Sequence, residues 1–422
     1  MLKRRLWTIA ACTIALAMVG AGCKSPSGEN AGGTGEPTTT TTTTTKEPGG
    51  TSARKMPTAA GNTQSGDTIK IGLVASQNGE LRPWGVDSIN GVQLAIEETN
   101  NGGGVNGKKI ELMIGDSASK PEQGKSAAEK LIADGALVIL GEVASGITAQ
   151  IAQSAFEKGV PVVAIGATRT DLTDIGANVF RVCYTDDFQG PVMAKFAYEE
   201  LGLRKMAILT DNKQPYSVGL SNSFRAKFVQ LGGEIVDEQF YESGQTQFGG
   251  QLTNLKAKNP DGLFLSGYFN EVGPIARQAR GAGLNVKLLG GDGWDSRDLI
   301  TSGGDAIIGG FFCNHYSNTE TRPEVQDFLK KWRAKFGADP ATTMGALGYD
   351  AAMLAIDAAR RASALDSRAL ITALDETENF KGVTGSITLK GMNGNPAKGA
   401  LVAEVTRTGF AARKGYTFDE LR

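Results

Sequence analysis

From Thr68 onward, short strand-forming runs alternate with helical stretches, and the alternation runs through twice. Ile69 to Val74, Lys109 to Ile114, Leu137 to Leu140 and Val160 to Ile165 read as strands, separated by helices near 84–101, 119–133 and 146–159. In the first helix Ile89, Val92 and Ile96 fall three and four apart, which draws one apolar stripe. After Val179 to Cys183 a second series begins. Its strands are Lys205 to Thr210, Ile235 to Tyr241, Gly262 to Ser266 and Lys287 to Gly290, with helices near 188–201, 217–231, 247–257 and 271–282. Parallel strands need crossovers long enough to be helices, so the pattern predicts an α/β fold of two successive units, each a parallel sheet with helices on both faces. One more strand, Ile307 to Cys313, is followed by helices near 322–336, 344–362 and 367–376, whose natural partner is the first unit. A closing hairpin is expected of Gly385–Leu389 and Ala400–Arg407, around the turn Gly391-Met392-Asn393-Gly394-Asn395.

The first 66 residues are of a different kind. Met1-Leu2-Lys3-Arg4-Arg5 is a basic start, and Leu6 to Val19 is an apolar run too short to span a bilayer comfortably, so residues 1–22 read as a secretory signal. The signal ends in Val19-Gly20-Ala21-Gly22-Cys23, which resembles a bacterial lipobox with Gly where Leu is commonest. Cys23 is then the expected lipidation site and the first residue of the mature chain, the alternative being an ordinary signal with a chance cysteine. Residues 23–66 lack any aromatic residue, are rich in Gly, Pro, Ser and Thr, and include Thr38 to Thr45 as an unbroken run. Such a segment cannot bury enough apolar surface to offset the entropy of ordering it, which predicts a disordered tether with a reach of about 35 Å. A glycosylated stalk fits the same composition.

Composition excludes more than it selects. A net charge of −1 gives no electrostatic footprint for nucleic acid. One histidine, His315, and four cysteines leave little for a metal site or a His-activated nucleophile, so neither a cofactor nor enzymatic chemistry is expected. Gly102-Gly103-Gly104 and Gly290-Gly291 lack the spacing of a phosphate loop and read as turns.

What remains is binding. Ala144-Ser145-Gly146, Gly166-Ala167-Thr168, Gln214-Pro215-Tyr216, Gly267-Tyr268 and Gly291-Asp292-Gly293 each follow a strand-type run, where open α/β sheets place their ligands. Hydroxyls of Ser145 and Thr168 with nearby backbone N–H groups suit an α-carboxylate. Asp292 suits an α-ammonium held between the rings of Tyr216 and Tyr268.

From about residue 68 to 415 the chain is similar to the type I periplasmic binding proteins of the branched-chain amino-acid transport group. The segments that carry the likeness are Ile69-Lys70-Ile71-Gly72, Gly102 to Gly107, Gly141 to Ser145, Thr168 to Leu172, Asp186 to Gly190, Asp211 to Tyr216, Gly267-Tyr268, Gln278 to Gly283 and Tyr349-Asp350-Ala351. The resemblance implies two Rossmann-like lobes joined by three crossings, with ligand in the cleft between them. The crossings then fall near Val182 to Thr185, Phe312 to Tyr316 and Gly385-Ser386. Lobe one would be residues 67–184 with 314–385, and lobe two 185–313 with 386–415.

By the same resemblance the carboxylate-binding serine falls on Ser145, the backbone-and-hydroxyl group on Gly166, Ala167 and Thr168, the closing aromatics on Tyr216 and Tyr268, and the ammonium ligand on Asp292, where the prototype has Glu. Trp84 stands where the prototype has a smaller aromatic in the side-chain pocket. Other roles stay open. Ser145 and Thr168 also suit helix N-caps, Tyr216 and Tyr268 core aromatics, Asp292 a turn cap and Trp84 the surface. Arg169 suits either a second ligand carboxylate or a surface ion pair, and His315 packing or hydrogen bonding rather than a switch. Cys183 and Cys313 both fall at expected crossings, as a disulfide or as two separate thiols.

The function implied is that of a monomeric, extracytoplasmic, membrane-anchored lipoprotein that captures a small amino acid, branched-chain or aliphatic, for an ABC permease. A ligand sensor for a signalling receptor and a non-transport envelope partner of the same fold are the alternatives.

Overall fold

The computed structural model describes residues 54–421, so the signal segment and Cys23 lie outside the described residues. The chain runs β1 (Thr68–Ala75), α1 (Arg82–Asn101), β2 (Lys109–Asp116), α2 (Pro121–Ala133), β3 (Val138–Leu140), α3 (Ser145–Lys158), β4 (Val162–Ala164) and β5 (Val179–Arg181). These strands form one sheet, parallel throughout, in the order β2-β1-β3-β4-β5. The central strands β3 and β4 are buried along their whole length, as a parallel strand covered on both faces must be.

The second series follows as α4 (Asp186–Lys195), β6 (Lys205–Asp211), α5 (Pro215–Gln230), β7 (Glu234–Tyr241), α6 (Gly249–Ala257), β8 (Gly262–Leu265), α7 (Phe269–Gly281), β9 (Lys287–Gly290), α8 (Arg297–Gly303) and β10 (Phe311–Asn314). The chain then returns to the first sheet as α9 (Pro323–Phe336), α10 (Met344–Arg361), α11 (Ser367–Asp375) and the strand pair β11 (Phe380–Gly382) and β12 (Gly385–Ile387). It closes in β13 (Ala400–Thr406) and β14 (Gly409–Tyr416). The second sheet has seven strands, β14-β13-β10-β9-β8-β6-β7, parallel except for β13, which pairs antiparallel with both β10 and β14. The fold is thus α/β with two lobes on parallel central sheets.

Local chemistry explains the helix starts. Helices α1, α2, α5 and α9 each have proline in the first turn, where the missing N–H is one the helix could not use. Asp366 caps α11 by accepting from the Ala369 N–H at 2.8 Å. Helix α10 lies tightly on α1 because Gly91 permits it: a Cβ there would sit 2.0 Å from the Gly345 carbonyl oxygen.

Three expectations need correction. Residues 54–66 are not tether but lie along lobe one. Arg54 donates to the Val179 carbonyl at 2.6 Å and pairs with Asp375 at 3.0 Å, while the Asn62 amide donates to Ile132 and Ala136 carbonyls. Polar side chains, rather than buried apolar area, hold the segment. The closing hairpin is also paired differently, β12 with β11 and β13 with β14. The buried Asp350 carboxylate accepts from the Val383 and Thr384 N–H groups and the Thr384 hydroxyl, which fixes the β11–β12 turn. In consequence the last crossing falls later than Gly385-Ser386. The Gly394 carbonyl accepts from Arg181 N–H on lobe one, and the passage to β13 is made at Pro396 to Gly399. There the Lys398 ammonium donates to the Val182 carbonyl at 2.9 Å, and burial lowers its pKa to about 8.

Finally, Cys183 and Cys313 are two free, buried thiols. Cys183 Sγ points to the Ala167 carbonyl at 3.3 Å, and burial pushes its pKa up to about 12.

Candidate functional site

Both sheets reverse strand order beside their first strand. In lobe one β1 has β2 on one side and β3 on the other; in lobe two β6 has β7 and β8. Loops leaving the carboxyl ends of strands at such a switch diverge and open a crevice. Trp84 follows β1, Val143 and Ser145 follow β3, Gly166 to Thr168 follow β4, Tyr216 follows β6, Tyr268 follows β8 and Asp292 follows β9. The cavity between them is narrow and is lined by Trp84, Val143, Gly166, Thr168, Tyr216, Tyr268, Asp292, Gly293 and Met344.

Asp292 is the most heavily bonded group of the site. Its Oδ1 accepts from the Tyr216 hydroxyl at 2.9 Å and from the Gln189 amide at 2.9 Å, and its Oδ2 lies 3.1 Å from His315 Nε2. Gln189 returns the contact, its Oε1 accepting from the Asp292 N–H at 3.1 Å. The Tyr216 hydroxyl also accepts from the Gly293 N–H at 2.9 Å. That approach requires glycine, since a Cβ at Gly293 would sit 2.9 Å from both Tyr216 Oη and Tyr268 Cδ1.

His315 stacks on Tyr184 with centroids 4.1 Å apart and an interplanar angle of 18°. Burial pushes its pKa below the ordinary imidazole value, outweighing the opposite effect of Asp292. The ring is therefore neutral at pH 7, and its carboxylate partner requires the proton on Nε2.

A second carboxylate completes the acidic end. Asp186, the first residue of α4, is fully buried, and Gln189 one turn on donates to its Oδ1 at 2.9 Å. Its Oδ2 has no hydrogen-bond partner. Burial, reinforced by the charge of Asp292, pushes the Asp186 pKa up to about 8. The Asp292 carboxylate, with a buried Asp186 that keeps its proton up to about pH 8 and a neutral ring as its neighbours, makes a site suited to a cation.

The opposite wall is built by lobe one. The Glu142 carboxylate holds the turn before Ser145, accepting from Ser76 and Ser117 hydroxyls and from the Val143 and Ala144 N–H groups. Ser145 Oγ accepts from the Arg169 N–H at 3.2 Å. Neither Ser145 nor Thr168 caps a helix with its side chain. Ala167 faces away from the cavity, its carbonyl taken by the fully buried Arg181 guanidinium at 2.8 Å. The Arg169 side chain pairs with Asp171 at the surface.

Trp84 is buried, with its ring edge-on to Tyr268 and Phe269 at 5.2 and 5.0 Å. Tyr216 and Tyr268 stack on each other at 5.0 Å and 20°. An ammonium between those two rings, as expected from sequence, therefore has no room; Asp292 lines the cavity together with Gly166 and Thr168. Tyr268 Oη is buried without a partner.

Sequence reasoning passed over Asp186, Gln189 and Met344 as site residues. The Asp186/Gln189 spacing of three, at a helix start just past a crossing, was the available signal.

The family model for periplasmic binding protein matches residues 68–411. Over 324 residues the chain is 33% identical to Leu/Ile/Val-binding protein BraC3 of Rhizobium johnstonii, covering 76% of this chain and 87% of that one. Its fold is similar to the leucine-binding protein LivK of Thermotoga maritima, with a TM-score of 0.80, 36% identity, and coverage of 83% of this chain and 99% of that one. It is also similar to LivJ, a branched-chain amino-acid transporter substrate-binding protein of Streptococcus pneumoniae solved with isoleucine. There the TM-score is 0.77 and the identity 31%, over 83% of this chain and 99% of LivJ.

Proposed function

Because the chain belongs to the periplasmic binding protein family, we propose that it captures a small amino acid with an aliphatic side chain between its lobes and delivers it to an ABC permease. The observation that carries this reading is the acidic end of the cleft. Asp292 lines the cavity, with Asp186 behind it on the same Gln189 amide, and an α-ammonium in the cleft would meet the Asp292 carboxylate. The α-carboxylate would then lie toward Ser145, Gly166 and Thr168, among backbone N–H groups and hydroxyls. Trp84, Val143 and Met344 leave only apolar surface for the side chain, so a second charge would be buried unpaired. Names of the relatives support the same class of ligand.

The Asp at position 292 reaches one methylene less far than Glu, which calls for an ammonium seated deeper or bridged by water. Delivery to a permease from an anchored position, with Cys23 diacylated, completes the reading. Titration calorimetry of protein unfolded and refolded to remove carried-over ligand tests it. Saturable binding of L-leucine, L-isoleucine or L-valine is expected, and binding only of acids that lack an amino group would overturn the Asp292 assignment.

A further inference from the structure

Asp295 lies three residues beyond Asp292, does not line the cavity, and is 1% exposed. It belongs to lobe two, between β9 and α8, yet its carboxyl reaches across to donors of lobe one. Its Oδ2 accepts from the Thr343 N–H at 2.6 Å and lies 2.7 Å from Thr343 Oγ1. Thr343 is the residue before α10, where backbone N–H groups have no acceptor within their own helix and a negative charge is favoured. Lobe two therefore supplies the anion that a lobe-one helix start needs. The backbone of the same residue makes a second bridge: the Trp84 indole N–H of lobe one donates to the Asp295 carbonyl at 2.7 Å.

The neighbouring groups make this a directed contact. Asp87 of α1 holds the adjacent Thr342 through its N–H at 2.6 Å and its hydroxyl at 3.0 Å, so the α10 start is fixed within lobe one before Asp295 reaches it. Asn314, at the end of β10, also lies 3.0 Å from Thr343 Oγ1, so that a second lobe-two side chain packs on the same hydroxyl, whose single proton serves one of the two. The two lobe-one elements gripped by Asp295 carry two walls of the cavity. Trp84 is one, and Met344, next to Thr343, is another.

From this geometry we infer that Asp295 is an inter-lobe latch: it holds the lobes together and sets Trp84 and Met344 against the ligand without touching the ligand itself. The inference rests on the reading of the cleft as a ligand site, and makes Asp295 a positioning residue. Its bonds exist only when the lobes meet, so its effect falls on escape of ligand rather than on encounter.

The test uses the wild-type protein, Asp295→Ala and Asp295→Asn, with L-leucine as the probe and intrinsic tryptophan fluorescence in stopped flow as the readout. Asp295→Ala is expected to raise koff by more than about tenfold, as loss of a charge-assisted bond implies, while kon stays within about threefold. Asp295→Asn keeps the carbonyl bridge and one side-chain acceptor, and is expected to recover most of the loss. Thr343→Val removes one donor and should fall between. Independently of any ligand, spin labels at the exposed positions Lys130 and Lys258, one on each lobe, should report a longer inter-lobe distance in Asp295→Ala than in wild type. Failure of the wild type to bind L-leucine would sink the ligand reading and leave the label distances to judge the latch. A koff within twofold of wild type, or a label distance unchanged in a folded Asp295→Ala variant, overturns the latch.

Discussion

His315 Nε2 lies 3.1 Å from Asp292 Oδ2, and among the described residues it is the hydrogen-bond partner of that oxygen. A neutral donor inside the lobe thus turns one edge of the carboxylate inward and leaves its other oxygen to Tyr216 and Gln189. Removing the donor strands a buried carboxylate oxygen, which costs about 1–3 kcal/mol. His315→Phe, which keeps the stack on Tyr184, is expected to lower unfolding stability by about that amount in denaturant titrations. His315→Gln should return part of it, because its amide can donate to the same oxygen. Equal stability of all three proteins would remove His315 from the site's architecture.

Asp292→Asn tests the charge itself. Loss of one partner from a desolvated charge pair costs about 2–5 kcal/mol of binding, so affinity for L-leucine should fall more than tenfold. The amide oxygen can still accept from Tyr216 and Gln189, while its N–H₂ faces His315 Nε2, which can accept once the ring proton moves to Nδ1, so the melting temperature should fall far less than the affinity. Unaltered affinity would mean that the ammonium sits elsewhere.

How much of this could be read before the structure was known follows the range of each interaction along the chain. Strand and helix order was legible because it rests on short periodicities, and the Ser145, Thr168, Tyr216, Tyr268 and Asp292 segments were legible because each ends a strand. Residues 54–66 were misread as tether because composition reports apolar burial, whereas Arg54 and Asn62 hold that segment by hydrogen bonds to lobe one. The C-terminal pairing was misread because nothing in residues 380–387 reveals the buried Asp350 that fixes their turn. The roles of His315 and Asp295 were hidden for a related reason. His315 is 23 residues from Asp292, brought to it by the pairing of β10 with β9, and Trp84 is 211 from Asp295, on the other lobe. The stacking of Tyr216 on Tyr268 is likewise a tertiary fact.

The Asp186 carboxyl makes stability depend on pH in a definite direction. Its folded-state pKa, about 8, lies above its ordinary value of 3.8. Between those values the folded protein holds a proton that the unfolded chain has released, so this contribution is complete below about pH 4 and is lost as pH rises toward 8. Asp295, raised by burial to about 6, acts in the same sense over a narrower window. Asp186→Asn keeps the Gln189 bond and removes the titration. The variant should gain on wild type as pH rises from 4 to 8, by more than about 1 kcal/mol at the upper end. Parallel stability curves across that range would refute the assignment.

Anchoring through Cys23 rests on the sequence around it, outside the described residues. Two acyl chains give stable attachment where one does not, so the wild-type protein should sediment with membranes and Cys23→Ala should appear in the soluble extracytoplasmic fraction. A variant that stays in the membrane pellet would refute the anchor.

Ligand choice gives the broadest test, because the two ends of the cleft differ in chemistry. In the proposed reading Asp292 would take an ammonium, the Ser145 and Thr168 loops would take a carboxylate, and Trp84, Val143 and Met344 would offer the side chain nothing polar. A ligand that binds only the folded protein stabilises it by about 2.7 kcal/mol at a hundred times its dissociation constant, which a thermal melt detects easily. Against the twenty amino acids, small amides and short organic acids, aliphatic amino acids should raise the melting temperature most. Lysine, arginine, aspartate and glutamate should raise it least, since each would bury a second charge without a partner. Stabilisation by organic acids but by no amine would place the ligand's only charge at the Ser145 end and empty the acidic end of its role. Stabilisation by nothing in the screen would favour an envelope partner that uses the fold without the cleft.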